Sequence, residues 1–271
     1  MPSIPSENIE YWFIFQNDKL LFIVDGIEHI LINRDTMDAL KHAFIRQYQL
    51  PLHSQTAIYC AELSPDYALP AHFQALPLRK SLEMLTRDWY SIIARAYAII
   101  TWDKNHQFCG RCARPTEYHP DIFERKCNHC QLYFYPRISP SVIVLIKKGD
   151  HLLMARSPHF PPGVYGLIAG FVEPGESIEE AACREVKEEV GIAIKNLQYF
   201  GSQPWPFPDS LMFGFTADYA EGDIVMNRAE LEDAGWYRYD QLPGRPSTSI
   251  SIASTLIDHF IAEQQSSAMK L

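Results

Sequence analysis

The sequence has no excess of positive charge. It carries 24 Lys and Arg against 33 Asp and Glu, a formal net charge of −9. That balance cannot neutralise a run of phosphates, which excludes broad electrostatic binding of nucleic acid but leaves open recognition of one RNA end. The first stretch, MPSIPSENIEYWFIF, has no Lys or Arg ahead of its apolar residues, so it does not read as a secretory signal. No apolar run is long and uncharged enough for a membrane; the most hydrophobic long segment, Ser81 to Trp102, contains Glu83, Arg87, Asp88 and Arg95. Internal repeats and low-complexity segments are absent. Cysteine is scarce, and four of the six fall into a metal-type pattern rather than a disulfide framework. The expectation is a cytoplasmic protein with no membrane association. What is present is a 47% apolar content over 271 residues, enough for one large or two ordinary domains with a real core.

Tyr11 to Phe15 and Leu20 to Val24 read as a β-hairpin, Asp35 to Gln47 as a helix capped by Asp35 or Thr36, and Thr56 to Leu63 as a strand. Apolar residues at helical spacing from Ser81 to Trp102 predict one helix of about six turns. Residues 1–103 are expected to form a small α+β domain without a catalytic signature, its aromatics packed in a core. Residues 104–136 contain two knuckles, Cys109-x2-Cys112 and Cys127-x2-Cys130, fourteen residues apart. Four thiolates close a tetrahedron around Zn²⁺ and leave no position for water, so one structural zinc per chain is expected; disulfides are the less fitting alternative. Arg111, Arg114, Arg125 and Lys126 are too few to mark a nucleic-acid surface. His106, His119 and His129 read as surface histidines, and Cys60 and Cys183 as small buried side chains.

From residue 137 onward the pattern changes. Val142 to Ile146 and Leu152 to Ala155 read as a hairpin, Leu197 to Gly201, Met212 to Ala217 and Ala234 to Tyr239 as strands, and Ser251 to Glu263 as a helix. Between them lies GFVEPGESIEEAACREVKEEVGI, Gly170 to Ile192. Ser177 with Glu180 forms a capping box, and Gly191 suits the residue just past a helix end. On that helix Glu185, Glu188 and Glu189 lie at i, i+3 and i+4, so their carboxylates share a face. Such a cluster is either a solvated acidic surface or a site for a hard divalent cation, which removes the mutual repulsion and tolerates phosphate and water as further ligands.

This stretch resembles the Nudix box, G-x5-E-x7-R-E-U-x-E-E-x-G-U with U aliphatic, at every position. The resemblance implies an α/β/α sandwich and a metal-dependent hydrolase of diphosphates linked to another moiety. Two or three Mg²⁺ or Mn²⁺ ions would be held by Glu185, Glu189, Glu230 and the Ala169 carbonyl, with Arg184 orienting a glutamate. Either Glu188 or Glu189 would take the proton from water, so Glu185, Glu188 and Glu189 are the candidate catalytic set.

Downstream, Ser202-Gln203-Pro204-Trp205-Pro206-Phe207-Pro208-Asp209-Ser210 holds three prolines that stiffen the backbone and deny it a central strand role. Trp205 and Phe207 on this segment are either surface packing or a platform for a planar base. SQPWPFPxS resembles the signature of the bacterial NADH pyrophosphatases, the Nudix branch also described as NAD-capped RNA hydrolases. The order of N-terminal domain, four-cysteine ribbon, YPRISPSVIVLI and Nudix domain is similar as well. That resemblance implies NAD(H) and 5′ NAD-capped RNA as substrates and a homodimer whose partners complete each other's sites. Its substrate contacts would be Gln203, Pro204, Trp205, Pro206, Phe207, Pro208, Asp209 and Ser210, with Tyr135 and Phe171 around the nicotinamide, Arg79 from the N-terminal domain, and Ala253 on the last helix. A Nudix hydrolase of ADP-ribose or a diadenosine polyphosphate, and a non-catalytic nucleotide- or RNA-binding Nudix domain, are the competing readings.

Overall fold

The structure is a computed structural model that describes residues 10–51, 57–119, 122–245 and 251–268. The chain divides into two compact units, 1–137 and 138–271.

In the first unit, β1 (Tyr11–Gln16) and β2 (Lys19–Asp25) form the expected hairpin. Its turn residues Asn17 and Asp18 both have positive φ, as the tight primed turns require. They are followed by β3 (Glu28–Ile30), β4 (Ile32–Asn33) and a single-turn helix α1 (Arg34–Met37). The helix expected from Asp35 to Gln47 does not form. Asn33, not Asp35 or Thr36, is the cap, and Thr36 bonds back to it in a capping box. Residues Phe44–Gln49 instead make edge strand β5, whose exposure alternates along its length, antiparallel to β6 (Ile58–Leu63). Thr56, expected at the start of that strand, lies outside the described residues. β7 (Phe73–Pro77) then pairs with β2.

The helix expected from Ser81 to Trp102 is two helices, α2 (Leu78–Met84) and α3 (Arg87–Asn105). Leu85 and Thr86 between them are extended. Leu78, Leu82, Leu85, Trp89, Ile93, Ala96 and Ile100 are all buried, so the apolar spacing runs straight through the break and conceals it. The ribbon adds β8 (Glu117–His119), β9 (Glu124–Cys127) and β10 (Leu132–Phe134) as an antiparallel sheet. It is locked to the end of α3 through buried Asp103. That carboxylate accepts from Arg125 of β9 and from Gln107 at 2.9 Å, and forms an ion pair with Arg46 at 3.2 Å. Arg125 also donates to Thr116, and Arg46 also pairs with buried Glu62 at 2.6 Å.

The second unit is a six-stranded mixed sheet between two helices. Its path is β14 (Ala193–Trp205), β15 (Ser210–Glu221), β11 (Ser139–Lys148), β12 (His151–Arg156) and β16 (Asp233–Arg238), with β13 (Ile168–Phe171) paired to β11. Successive side chains of a strand face opposite ways. Val142, Val144 and Ile146 of β11 therefore pack in the core with α4 (Ile178–Val190), while Ile143 and Leu145 pack with α5 (Ile252–Ala268). This is the expected α/β/α sandwich. The strand expected over Leu197 to Gly201 runs on through Gln203, Pro204 and Trp205. β14 can carry Pro204 because it is an edge strand. The aromatic loop is thus shorter than the sequence suggests, a turn from Pro206 to Asp209, with Ser210 already on β15.

Candidate active site

Helix α4 is set by its ends. Ser177 accepts from the Glu180 amide at 3.2 Å while Glu180 reaches back to the Ser177 amide at 2.8 Å. Gly191 closes the helix in the left-handed region. The face so positioned carries Glu185 and Glu189, both buried, and Glu188, exposed. Gly170 on β13 lies directly over it: a Cβ there would stand 2.0 Å from the Glu185 carboxyl carbon. The first glycine of the box is therefore a space requirement for the carboxylate.

Arg184 is the hub of the polar network. It donates to both oxygens of Glu176 at 2.7 and 2.9 Å, to Glu185 at 2.9 Å, to Glu188 at 3.0 Å and to the Phe171 carbonyl at 2.9 Å. One guanidinium thus ties loop, strand and helix together, a geometry suited to its planar fork. Hydrogen bonding to Arg184 holds the Glu176 carboxyl below its usual range. Burial raises Glu185 despite its own contact with Arg184. Glu189 is pushed up to about 8, by burial first and then by the charges of Glu185 and Glu230, against a hydrogen bond to the Ala169 backbone.

Glu230 arrives from the far side of the sequence. Asn227 fixes it: its side-chain amide donates to Glu230 at 3.0 Å, and its backbone N–H bonds the Glu189 carbonyl at 2.9 Å. Sequence reading missed Asn227, whose only signal is an Asx residue three positions before the acid. Glu185 and Glu230 thus stand close enough to Glu189 to raise its proton affinity, and the Ala169 backbone hydrogen-bonds its carboxylate. The donor set is all oxygen and acidic, and two of its carboxylates are costly to ionise unaided, which fits a hard divalent cation and not a soft one.

The expected substrate residues are distributed as follows. Phe171 is 54% exposed on β13. Trp205 and Phe207 form an edge-to-face pair with centroids 5.2 Å apart. Asp209 accepts from the Ser139 hydroxyl at 2.8 Å. Gln203 accepts from the Ile252 amide at 2.6 Å, capping the start of α5, where Ala253 follows half-buried. Pro204 and Pro208 are exposed, whereas Pro206 and Ser210 are buried. Arg79 and Tyr135 belong to the first unit: Arg79 is exposed on α2 beside Tyr90, and Tyr135 donates to Glu124 at 2.8 Å with its ring 56% exposed.

The second metal-type centre is in the ribbon. The sulfurs of Cys109, Cys112, Cys127 and Cys130 all lie within 4.8 Å of one another, and Cys112 and Cys127 are 3.6 Å apart. Tetrahedral Zn–S bonds of about 2.3 Å need sulfurs about 3.8 Å apart, so the knuckles fit zinc. They are built alike: Ala113 and Gln131, each just after the second cysteine, have positive φ and donate to the carbonyls of Cys109 and Cys127, both at 2.8 Å.

A sandwich presenting glutamates from a loop-and-helix element beside a glycine strand is the arrangement that resemblance to the Nudix box implies for a metal-dependent diphosphate hydrolase. Residues 136–258 match the NUDIX domain, 10–102 the NADH pyrophosphatase-like rudimentary NUDIX domain, and 104–135 the NADH pyrophosphatase zinc ribbon domain. The chain is 42% identical to the NAD-capped RNA hydrolase NudC of Chromobacterium violaceum over 96% of its length and 95% of that protein's. It is 41% identical to the NAD-capped RNA hydrolase NudC of Stutzerimonas stutzeri, over 90% and 87% of the two chains. Among solved structures, a NUDIX hydrolase from Nitrosomonas europaea aligns with a TM-score of 0.44 at 19% identity, covering 50% of this chain and 80% of that one. The chain belongs to the NADH pyrophosphatase branch of the Nudix hydrolases.

Proposed function

We propose that the protein hydrolyses the diphosphate of NAD(H) to nicotinamide mononucleotide and AMP, and removes the 5′ NAD cap from RNA to leave a 5′-monophosphate. The observation that carries this reading is an intact carboxylate site, braced by Arg184, on a chain matched along nearly its whole length by NAD-capped RNA hydrolases. Glu185, Glu189, Glu230 and the Ala169 carbonyl would hold Mg²⁺ or Mn²⁺, which would supply positive charge to the phosphates and lower the pKa of water. Glu185 and Glu189, whose burial raises their proton affinity, would ionise as its ligands. Glu189, buried at the centre of the cluster, is the favoured proton acceptor; Glu188 is engaged by Arg184. Gln203 fixes the Trp205 to Phe207 segment against α5, so those rings are presented to a planar base on a braced strand end.

The active form is a cytoplasmic homodimer with one structural Zn²⁺ in each ribbon. Chromatography of the products separates this reading from its rivals. Nicotinamide mononucleotide and AMP from NADH support it. Cleavage of ADP-ribose alone would assign the site to another Nudix substrate, and nucleotide binding without turnover would make it a binding module. Light scattering tests the dimer.

A further inference from the structure

Glu230 reaches the carboxylate cluster on a strap, residues 222–232, that is neither helix nor strand. Ile224, Met226 and buried Leu231 pack the strap into the core that holds Val186 and Val190 of α4. Two backbone bonds tie it to the end of that helix: Val225 donates to the Val190 carbonyl at 3.0 Å, and Asn227 to the Glu189 carbonyl at 2.9 Å. At Asn227 the strap turns. The Asn227 carbonyl accepts from the Glu230 and Leu231 amides at 3.1 and 2.9 Å, and its side-chain oxygen accepts from the Ala229 amide at 3.1 Å. The side-chain NH₂ that remains donates to Oε1 of Glu230 at 3.0 Å. Glu230 is exposed, and among the described residues this is the one hydrogen bond its carboxylate makes.

We propose that Asn227 is a positioning residue for metal binding. Its backbone is pinned to Glu189 and its side chain to Glu230, so two of the cation's ligands are held in register before it arrives. An exposed glutamate gives up rotamer freedom when it becomes a ligand. The Asn227 amide has already placed the carboxylate, and by holding one oxygen it leaves the other for the cation. A neutral donor does this without cancelling the charge that attracts the metal, as an Arg or Lys would. The inference rests on the reading of these carboxylates as a divalent-cation site, but its binding measurement needs no substrate.

The test uses the full-length, zinc-loaded protein, with Mn²⁺ binding followed by calorimetry and NADH turnover measured on the same preparations. Asn227→Ser keeps an oxygen for the Ala229 amide and removes only the donor to Glu230. It should weaken Mn²⁺ binding about tenfold, the lower end for loss of a ligand's hydrogen-bonding partner. The Mn²⁺ concentration giving half-maximal turnover should rise by the same factor. The melting temperature without Mn²⁺ should match wild type, since Ser caps a turn about as well as Asn. Glu230→Ala should weaken Mn²⁺ binding as well, and adding Asn227→Ser to it should cost nothing further, because both remove the same interaction. Wild-type affinity in Asn227→Ser overturns the proposal. So does a loss that persists in full on the Glu230→Ala background, because Asn227 would then act through the fold and not through Glu230. If the Mn²⁺ pattern holds while wild type leaves NADH uncut, the hydrolase reading fails and the role of Asn227 stands.

Discussion

Glu189 concentrates the chemistry of the site in one side chain. Its carboxyl is 7% exposed, and Glu185 and Glu230 raise its proton affinity further. Glu189→Gln keeps its shape and should lower turnover at least ~10²-fold, the lower end of a general-base contribution. The raised affinity has a second consequence. The folded carboxyl titrates near 8 and the unfolded one near 4.5, so its stabilising protonation is fully present below the lower value. It is lost as pH rises through the upper one. Metal-free protein should therefore melt at progressively lower temperature as pH rises through this window, and Glu189→Gln should flatten that slope. Calorimetry of Mn²⁺ binding near pH 7 in two buffers of different ionisation enthalpy should show proton release, and less of it from the variant. Gly170→Ala should also be inactive, because its Cβ would occupy the place of the Glu185 carboxylate. These residues were legible in the sequence because they sit within one short stretch of fixed spacing. Glu230 was reachable only by resemblance, and Asn227 had only a weak local signal, since the bond that ties it to the site, to the Glu189 carbonyl, crosses from a distant part of the chain.

Helix α4 and its glycine strand form the element the site depends on. The sequence carried its caps, its buried stripe and its carboxylate face, all set by neighbours within four residues. Elements defined by distant partners were less readable. The residues of β5 read as a helix because their strand character comes from pairing with β6, and uninterrupted apolar spacing masks the break between α2 and α3. Proline in the SQPWPFP segment argued against a strand, yet β14 continues through Pro204 because an edge strand has no ladder to break on its outer side. Arg184→Met tests the element as a unit. It frees Glu176, Glu185, Glu188 and the Phe171 carbonyl at once. Turnover should fall by at least about tenfold while α4 remains folded, read as unchanged helical circular dichroism.

At the scale of the molecule, two metal-dependent centres stand in two separate compact units. The ribbon was read as a zinc module, but its bond to the N-terminal domain was not: Arg125, two residues before Cys127, is the partner of Asp103 at the end of α3. Breaking one side of a buried pair leaves an uncompensated charge. Strong chelation of zinc should therefore open residues 1–137 to protease while residues 138–271 stay resistant, and mass spectrometry of the fragments checks it. The N-terminal unit also matches a rudimentary NUDIX domain, a relationship hidden from sequence inspection because it carries no box. No helix among the described residues is long and apolar enough to cross a membrane. The most direct test of the central claim is turnover of NADH by wild type and Glu189→Gln, side by side with Mn²⁺ or Mg²⁺ and with ADP-ribose as the comparison substrate. Metal-dependent release of nicotinamide mononucleotide and AMP by wild type, with the variant reduced at least ~10²-fold, is the predicted result. Near-normal turnover by Glu189→Gln, or cleavage of ADP-ribose but not NADH, would contradict it.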